Sequence, residues 1–243
     1  MTELPSSVGS LVDEIASTNG VEAVVLGGSR ADGTDDPNSD WDLGVFYRGD
    51  VDWRAVSRHG ELHPPGSWGR LMNGGAWLTI DGRRVDVILR DLDVVEHWAD
   101  RASRGDYELD ALLGYTAGFP TYTLVAEVAA SIVLRGRLDV DTTFTDALHA
   151  STTFRWGFQR DFSLDYARSH AVRGNLVGTL GNLSRAVTEE AHRRLCERRQ
   201  WVLNEKRLLT AAGLSDLQVE FASCSDPVVL VERIVARLSG SSR

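Results

Sequence analysis

Asp40 and Asp42 stand two residues apart, just ahead of the apolar run Leu43 to Phe46. In a strand, side chains alternate between two faces, so both carboxylates point one way and Trp41 and Leu43 point the other. Two like charges side by side repel, and folding alone gives no reason to place them there. A divalent cation does. Mg²⁺ prefers hard oxygen ligands and commonly sits between one or two carboxylates and substrate phosphates. Ten residues upstream lies Gly27-Gly28-Ser29, directly after the apolar run Val24 to Leu26. A turn with little side chain lets backbone N–H groups approach a phosphate, and a helix beginning there adds its positive end. Gly28, Ser29 and Arg30 are therefore the candidate nucleotide-binding residues. The combination points to a nucleoside triphosphate held with a metal.

A third carboxylate fits the same chemistry. Asp86 sits in the run Val85-Asp86-Val87-Ile88-Leu89, after an Asp81-Gly82 pair that suits a two-residue hairpin turn. On that strand Arg84, Asp86 and Ile88 share a face, which sets Asp86 where it can meet Asp40 and Asp42 across a sheet.

An apolar residue, Gly-Gly or Gly-Ser, a spacer, Asp-x-Asp and a later carboxylate between apolar residues together resemble the signature of the polymerase-beta-type nucleotidyltransferase superfamily. Here they are Leu26, Gly27, Gly28, Ser29, Asp40, Trp41, Asp42 and Asp86. The resemblance covers about the first hundred residues. It implies that Asp40, Asp42 and Asp86 are metal ligands for Mg²⁺, two ions in the full arrangement, with ATP as nucleotide substrate. Asp86 would either ligate the second ion or accept the acceptor's proton. The chain further resembles antibiotic nucleotidyltransferases of the kanamycin and aminoglycoside kind. These place a helical domain over the cleft, so the expected acceptor is a small hydroxylated molecule such as an aminoglycoside. Transfer to a protein or tRNA, and a non-catalytic, antitoxin-like nucleotide-binding module, are the alternatives.

Composition narrows the setting. The chain has 243 residues, 42% hydrophobic and 25% charged, as in an ordinary soluble globular protein. A net charge of −9 argues against non-specific nucleic-acid binding, which needs basic surface. Cys196 and Cys224 are far apart and form neither a zinc motif nor a disulfide framework. The N-terminus has no basic and apolar leader, and no apolar run approaches a membrane span, so a cytoplasmic setting is expected. Lys206 is the only lysine, and a compact ammonium suits a phosphate as a point charge.

The elements that must position these residues read as α+β. An N-terminal mixed sheet with flanking helices, 1–105, is followed by an all-α helical bundle, 106–243. The patterns predict a helix over 6–19 with Val8, Leu11, Val12 and Ile15 inward, strands at 21–26 and 40–46, and a short helix over 51–58. Loop is expected over 33–39 and 59–73. A hairpin over 76–89 and a helix over 92–104, capped by Asp91, come next. After that the strands stop, and helices follow over 107–113, 121–135, 143–163, 165–198 and 226–238, with another near Asn204. The last five residues read as a frayed tail. Asp35 and Asp36 read as loop charges, His59 and His63 as loop histidines, and Glu96 and His97 as a solvated face. Arg168, His170, Arg173, Asn175, Glu189, Glu190, His192 and Glu205 are polar candidates without a specific motif.

Overall fold

The computed structural model describes residues 4–239. Residues 1–3 and 240–243, which carry much of the reading of the leader and of the tail, lie outside the described residues. The elements run α1 (Ser6–Ala16), β1 (Val21–Leu26), α2 (Gly28–Asp32), β2 (Trp41–Tyr47), α3 (Arg54–Ser57), β3 (Gly60–His63), α4 (Gly69–Met72), β4 (Gly74–Ile80), β5 (Arg83–Asp91) and α5 (Leu92–Ser103). Then come β6 (Leu109–Asp110), β7 (Phe119–Pro120), α6 (Thr123–Ala130), β8 (Ile132–Gly136), α7 (Asp146–Val172), α8 (Leu176–Glu197), α9 (Leu208–Ala211), α10 (Leu217–Ser223) and α11 (Pro227–Ser239). The fold class is α+β, with a mixed sheet first and a long helical region last.

Two compact units share these elements. The first holds the described residues up to Asp100 together with Leu124–Thr142; the second holds Arg101–Thr123 and Thr143 onward. A single boundary at 105/106 does not describe them, because the chain leaves the first unit, returns to it and leaves again.

The first unit is built on a six-stranded sheet, ordered β3-β4-β5-β2-β1-β8. Only β2 and β5 run parallel; the other neighbours are antiparallel. Asp81 and Gly82 both take positive φ, 49° and 75°, the turn that a two-residue hairpin requires. That turn fixes the register Ile80↔Arg83 and every pair behind it. One face of the sheet is the core: Trp41, Leu43 and Val45 of β2 and Val85, Val87 and Leu89 of β5 pack with Val8, Leu11, Val12 and Ile15 of α1. These are the four inward positions that the helical periodicity predicts. On the opposite face Arg90, 2% exposed, is paired with Glu127 of α6 at 2.6 Å. Asp91 accepts from the Asp93 N–H, as a cap for α5 should.

Several expectations are corrected here. Residues 59–73 are not plain loop: Gly60–His63 pairs with β4 as an edge strand, and α4 follows. The strands do not stop at residue 91. The span 121–135 ends its helix at Ala130, and β8, rich in β-branched and apolar residues, pairs antiparallel with β1. An unpaired β1 would leave a row of backbone donors and acceptors without partners, and β8 satisfies them. Residues 107–113 form no helix: Leu109 and Asp110 pair with Phe119 and Pro120, and Gly114 and Gly118 take positive φ.

In the second unit α7 runs unbroken through residue 164, where a break was expected, because Leu164 faces the core. The break falls at Gly174, φ 71°, and Asn175, whose side chain accepts from the Gly178 N–H to cap α8. Asn204 caps no helix; it accepts from the Lys206 N–H in a local turn, and α9 begins at Leu208. Among the described residues no helix is long and apolar enough to cross a membrane.

Candidate functional site

The register places the carboxylates together. Asp42 pairs with Asp86 across β2 and β5, and residues directly paired across strands project from the same face. Their neighbours in sequence, Trp41, Leu43, Val85 and Val87, fill the core, so the two carboxylates project from the other side. Asp40 lies two residues before Asp42 and shares its parity. The row continues along the sheet. Asp86 pairs with Trp77 of β4, and Trp77 pairs with Glu61 of β3. One face therefore presents Asp42, Asp86, Trp77 and Glu61 in line.

The glycine turn closes against the first member of this row. The Gly27 N–H donates to the Asp42 carbonyl at 2.8 Å. Gly28 has φ 62°, and a Cβ there would stand 1.8 Å from Asp42 Oδ2. No other residue type can occupy this position with Asp42 as it stands. The turn thus brings bare backbone against a carboxylate.

Residues 8–101 match the family model for a nucleotidyltransferase domain. The matched stretch contains Gly28, Ser29, Asp40, Asp42, Trp77 and Asp86, and the match supports the superfamily resemblance. A solved structure of a nucleotidyltransferase-like protein from Exiguobacterium sibiricum 255-15 superposes with a TM-score of 0.46 at 14% identity, over 97% of this chain and 72% of that one. No curated protein matches the chain.

Within the matched stretch, Arg30 acts on the loop before Asp40. Its Nη2 donates to the Ser39 carbonyl at 2.6 Å, its Nε to the Asp40 carbonyl at 3.1 Å and its Nη1 to Asp35 at 3.0 Å. The guanidinium also lies 4.2 Å over the Trp41 ring. Arg30, expected among the nucleotide-binding residues, is thereby engaged in fixing the entry to β2. Asp35 is its partner, and Asp36 accepts from the Asn38 N–H inside the loop.

Asp40 is held differently. Arg84 Nε stands 2.7 Å from Asp40 Oδ1, close enough for a charge contact. The N–H is not aimed along a hydrogen-bond direction, and Oδ1 is a buried oxygen without a hydrogen bond. Among the described residues, no three His, Cys, Asp or Glu side chains converge as placed closely enough to hold a metal ion. A cavity of about 390 Å³ opens on this face, lined by Asp40, Trp77, Leu78, Thr79, Arg84 and Asp86.

Other candidates lie elsewhere. Glu96 pairs with Arg48 at 2.5 Å and His97 packs on Trp98. His59 stands 3.8 Å from Glu14, and His63 packs on Trp68 and Trp77. Lys206 is exposed in the second unit. There too, Glu190 is fully buried among Arg160, Arg193 and Arg194, at 2.7 to 2.8 Å. Glu189, also buried, accepts from Ser163 and Arg185. Arg168 pairs with Asp165 and Glu232, Arg173 binds Ser169, and Asn175 contacts His170. Buried His192 stacks on Trp156, and Glu205 accepts from the Ala117 N–H at 3.0 Å.

Sequence reasoning missed Trp77. The signal was present: counting back equally from both sides of the Asp81-Gly82 turn brings Trp77 opposite Asp86.

Proposed function

We propose that the chain is a Mg²⁺-dependent nucleotidyltransferase that moves a nucleoside monophosphate from ATP to a hydroxyl of a small acceptor. The observation that carries this reading is the Asp42–Asp86 pair on one sheet face, with the bare backbone of Gly28 packed on the Asp42 carboxylate.

What supports a metal here is the donor chemistry: Asp42 and Asp86 are paired hard oxygen donors, and Asp40, just ahead of the strand, has a buried Oδ1 without a hydrogen bond, although the three side chains do not converge as placed. Asp40 and Asp42 would hold Mg²⁺, with Asp40 giving up its contact to Arg84. When bound, Mg²⁺ neutralises charge on the phosphate oxygens and on the departing pyrophosphate.

The protein's own groups do the rest. The first N–H groups of α2 have no intrahelical acceptor and serve the phosphates beside Gly28 and Ser29. Arg30 keeps Asp40 and Asp42 in place through the Ser39 and Asp40 carbonyls. Asp86 lies between Asp42 and Trp77, beside the entering acceptor, and takes the proton of its hydroxyl. The hydroxyl oxygen bonds to the α-phosphorus, the bond from that phosphorus to the bridging oxygen breaks, and pyrophosphate leaves.

The test is pyrophosphate release from Mg-ATP across a panel of hydroxylated acceptors. Asp42→Asn should lose turnover by at least about 100-fold while its circular dichroism stays unchanged. Full turnover in that variant would sink the reading.

A further inference from the structure

We propose that the outer face of α7 is a two-fold interface between two copies of this chain. Its residues belong to the second unit, and the nucleotidyl-transfer reading uses none of them.

Phe154, Phe158, Phe162 and Tyr166 recur at every fourth residue along α7. Residues four apart are neighbours on a helix surface, so the rings form one row. Phe158 and Phe162 have centroids 6.3 Å apart, and Phe162 and Tyr166 are 4.9 Å apart. The row is open to solvent, each residue being between 51% and 76% exposed. α7 already has an inward face, where Leu148, Trp156, Leu164, Ala167 and Ala171 are buried. The aromatic row is a second apolar face, and it gains nothing for the folding of a single copy.

Its size suits a protein partner. A large aromatic side chain offers about 150–250 Å², so the open part of these four amounts to about 500 Å². Monomers rarely expose apolar patches above a few hundred Å². Val172, Leu176 and Val177, each more than half exposed, extend the apolar surface past the end of the helix. The total approaches the area of about 800 Å² per partner that a standard stable interface covers.

Shape and charge favour a second copy. A row at every fourth residue is the ridge of the commonest helix packing, in which like rows of two helices interdigitate at about −50°. Beside the row lies a groove of about 350 Å³, whose lining includes Thr153, Gly157 and Phe158. Gly157 has no side chain to fill it. Ridge and groove share one face, as a self-complementary two-fold contact requires. The charges around the row are engaged within the chain. Asp161 contacts Arg160 at 2.8 Å, and Asp165 contacts Arg168 at 3.1 Å. Arg193 pairs with Glu190 and Glu197. Arg155 donates to the Tyr107 carbonyl and lies over its ring, and Arg173 donates to the Ser169 carbonyl. Such a face does not repel its own copy. A nucleic acid or an anionic membrane would instead meet the exposed carboxylates of Asp161 and Asp165 beside the rings.

The test is sedimentation of the intact protein at about 50 µM, above the micromolar limit at which interfaces of this size dissociate. The wild type should run at twice the chain mass of 26.7 kDa. Phe158→Ala should weaken the dimer at least about 30-fold, as loss of a central aromatic anchor does. Phe162→Arg should give a monomer. Both side chains are exposed in a single copy, so both variants should keep the wild-type circular dichroism. If the arginine variant loses that spectrum, the alanine variant decides. Val219→Arg, which puts the same charge on an exposed valine of α10, should leave the dimer intact. A monomeric wild type overturns the proposal, and so does a dimer that survives both α7 substitutions or is lost in Val219→Arg. Growth beyond the dimer with rising concentration overturns the two-fold geometry. A wild type that is monomeric alone and gains mass only with single-stranded RNA or anionic vesicles overturns the second copy and assigns the face to that partner.

Discussion

Gly28 packs so closely on the Asp42 carboxylate that the glycine position has no room for a side chain. In Gly28→Ala the new methyl would collide with the Asp42 carboxylate and also meet an unfavourable positive φ. The expected outcome is a stability loss of about 1–3 kcal/mol, seen in thermal unfolding, with Mg-ATP binding lost in a folded protein. Retained Mg-ATP affinity would mean that the glycine serves the turn and not the site. Glu190 makes a different residue-scale case. Burial alone would raise its acid, but hydrogen bonds from Arg193, Arg194 and Arg160 outweigh burial and hold the carboxyl below its usual value of 4.5. A depressed acid stabilises the fold fully above its unfolded-state value, and the contribution is lost as pH falls through the folded-state value. Glu190→Gln should cost about 3 kcal/mol at neutral pH, because three arginines lose their buried partner. Its Tm should also depend less on pH below about 4.5 than the wild type's. Glu189 has the opposite sign: burial outweighs Arg185 and Ser163 and raises its acid. Its contribution is therefore largest at low pH and fades as pH rises through the raised value.

At the scale of elements, the loop from Gly33 to Asp40 is held to the start of β2 mainly by one side chain. Arg30 reaches two carbonyls and Asp35, and it lies over Trp41. Arg30→Ala should leave the sheet intact, since Arg30 is not part of the core. Pyrophosphate release should fall by about 10- to 100-fold, because Asp40 loses its placement. An unchanged rate would show that the strand alone positions Asp40. The elements also show what the sequence makes legible. β1, the Asp81-Gly82 hairpin and the inward face of α1 rest on local periodicity and turn chemistry, and they lie where the pattern puts them. The carboxylate row follows from parity and hairpin counting. β8 was hidden because its pairing with β1 joins residues more than a hundred positions apart, and nothing local separates Ile132–Gly136 from a helix end. The Asp40–Arg84 contact and the packing of Trp68 over Gly75 were hidden for a related reason: they depend on side-chain placement across loops.

At the scale of the whole molecule, the proposed chemistry belongs to one unit. Asp40, Asp42, Trp77 and Asp86 all lie in the first unit. The buried Glu190 cluster lies in the second. Glu190→Gln should therefore lower the Tm of the second unit and keep Mg-ATP binding at room temperature, which calorimetry and equilibrium binding on the same sample can check. The sheet itself is made from two separate stretches of chain, and β8 borders β1 from the later one. That arrangement limits how the protein can be cut. A recombinant fragment ending at residue 101, where the family match ends, would keep every residue of the site and lose its last strand. Ala23, Val24, Val25 and Leu26, buried in the intact chain, would become a bare, uncharged edge. Such a fragment should self-associate and precipitate, while a fragment that retains residues 124–142 on a linker should remain in solution.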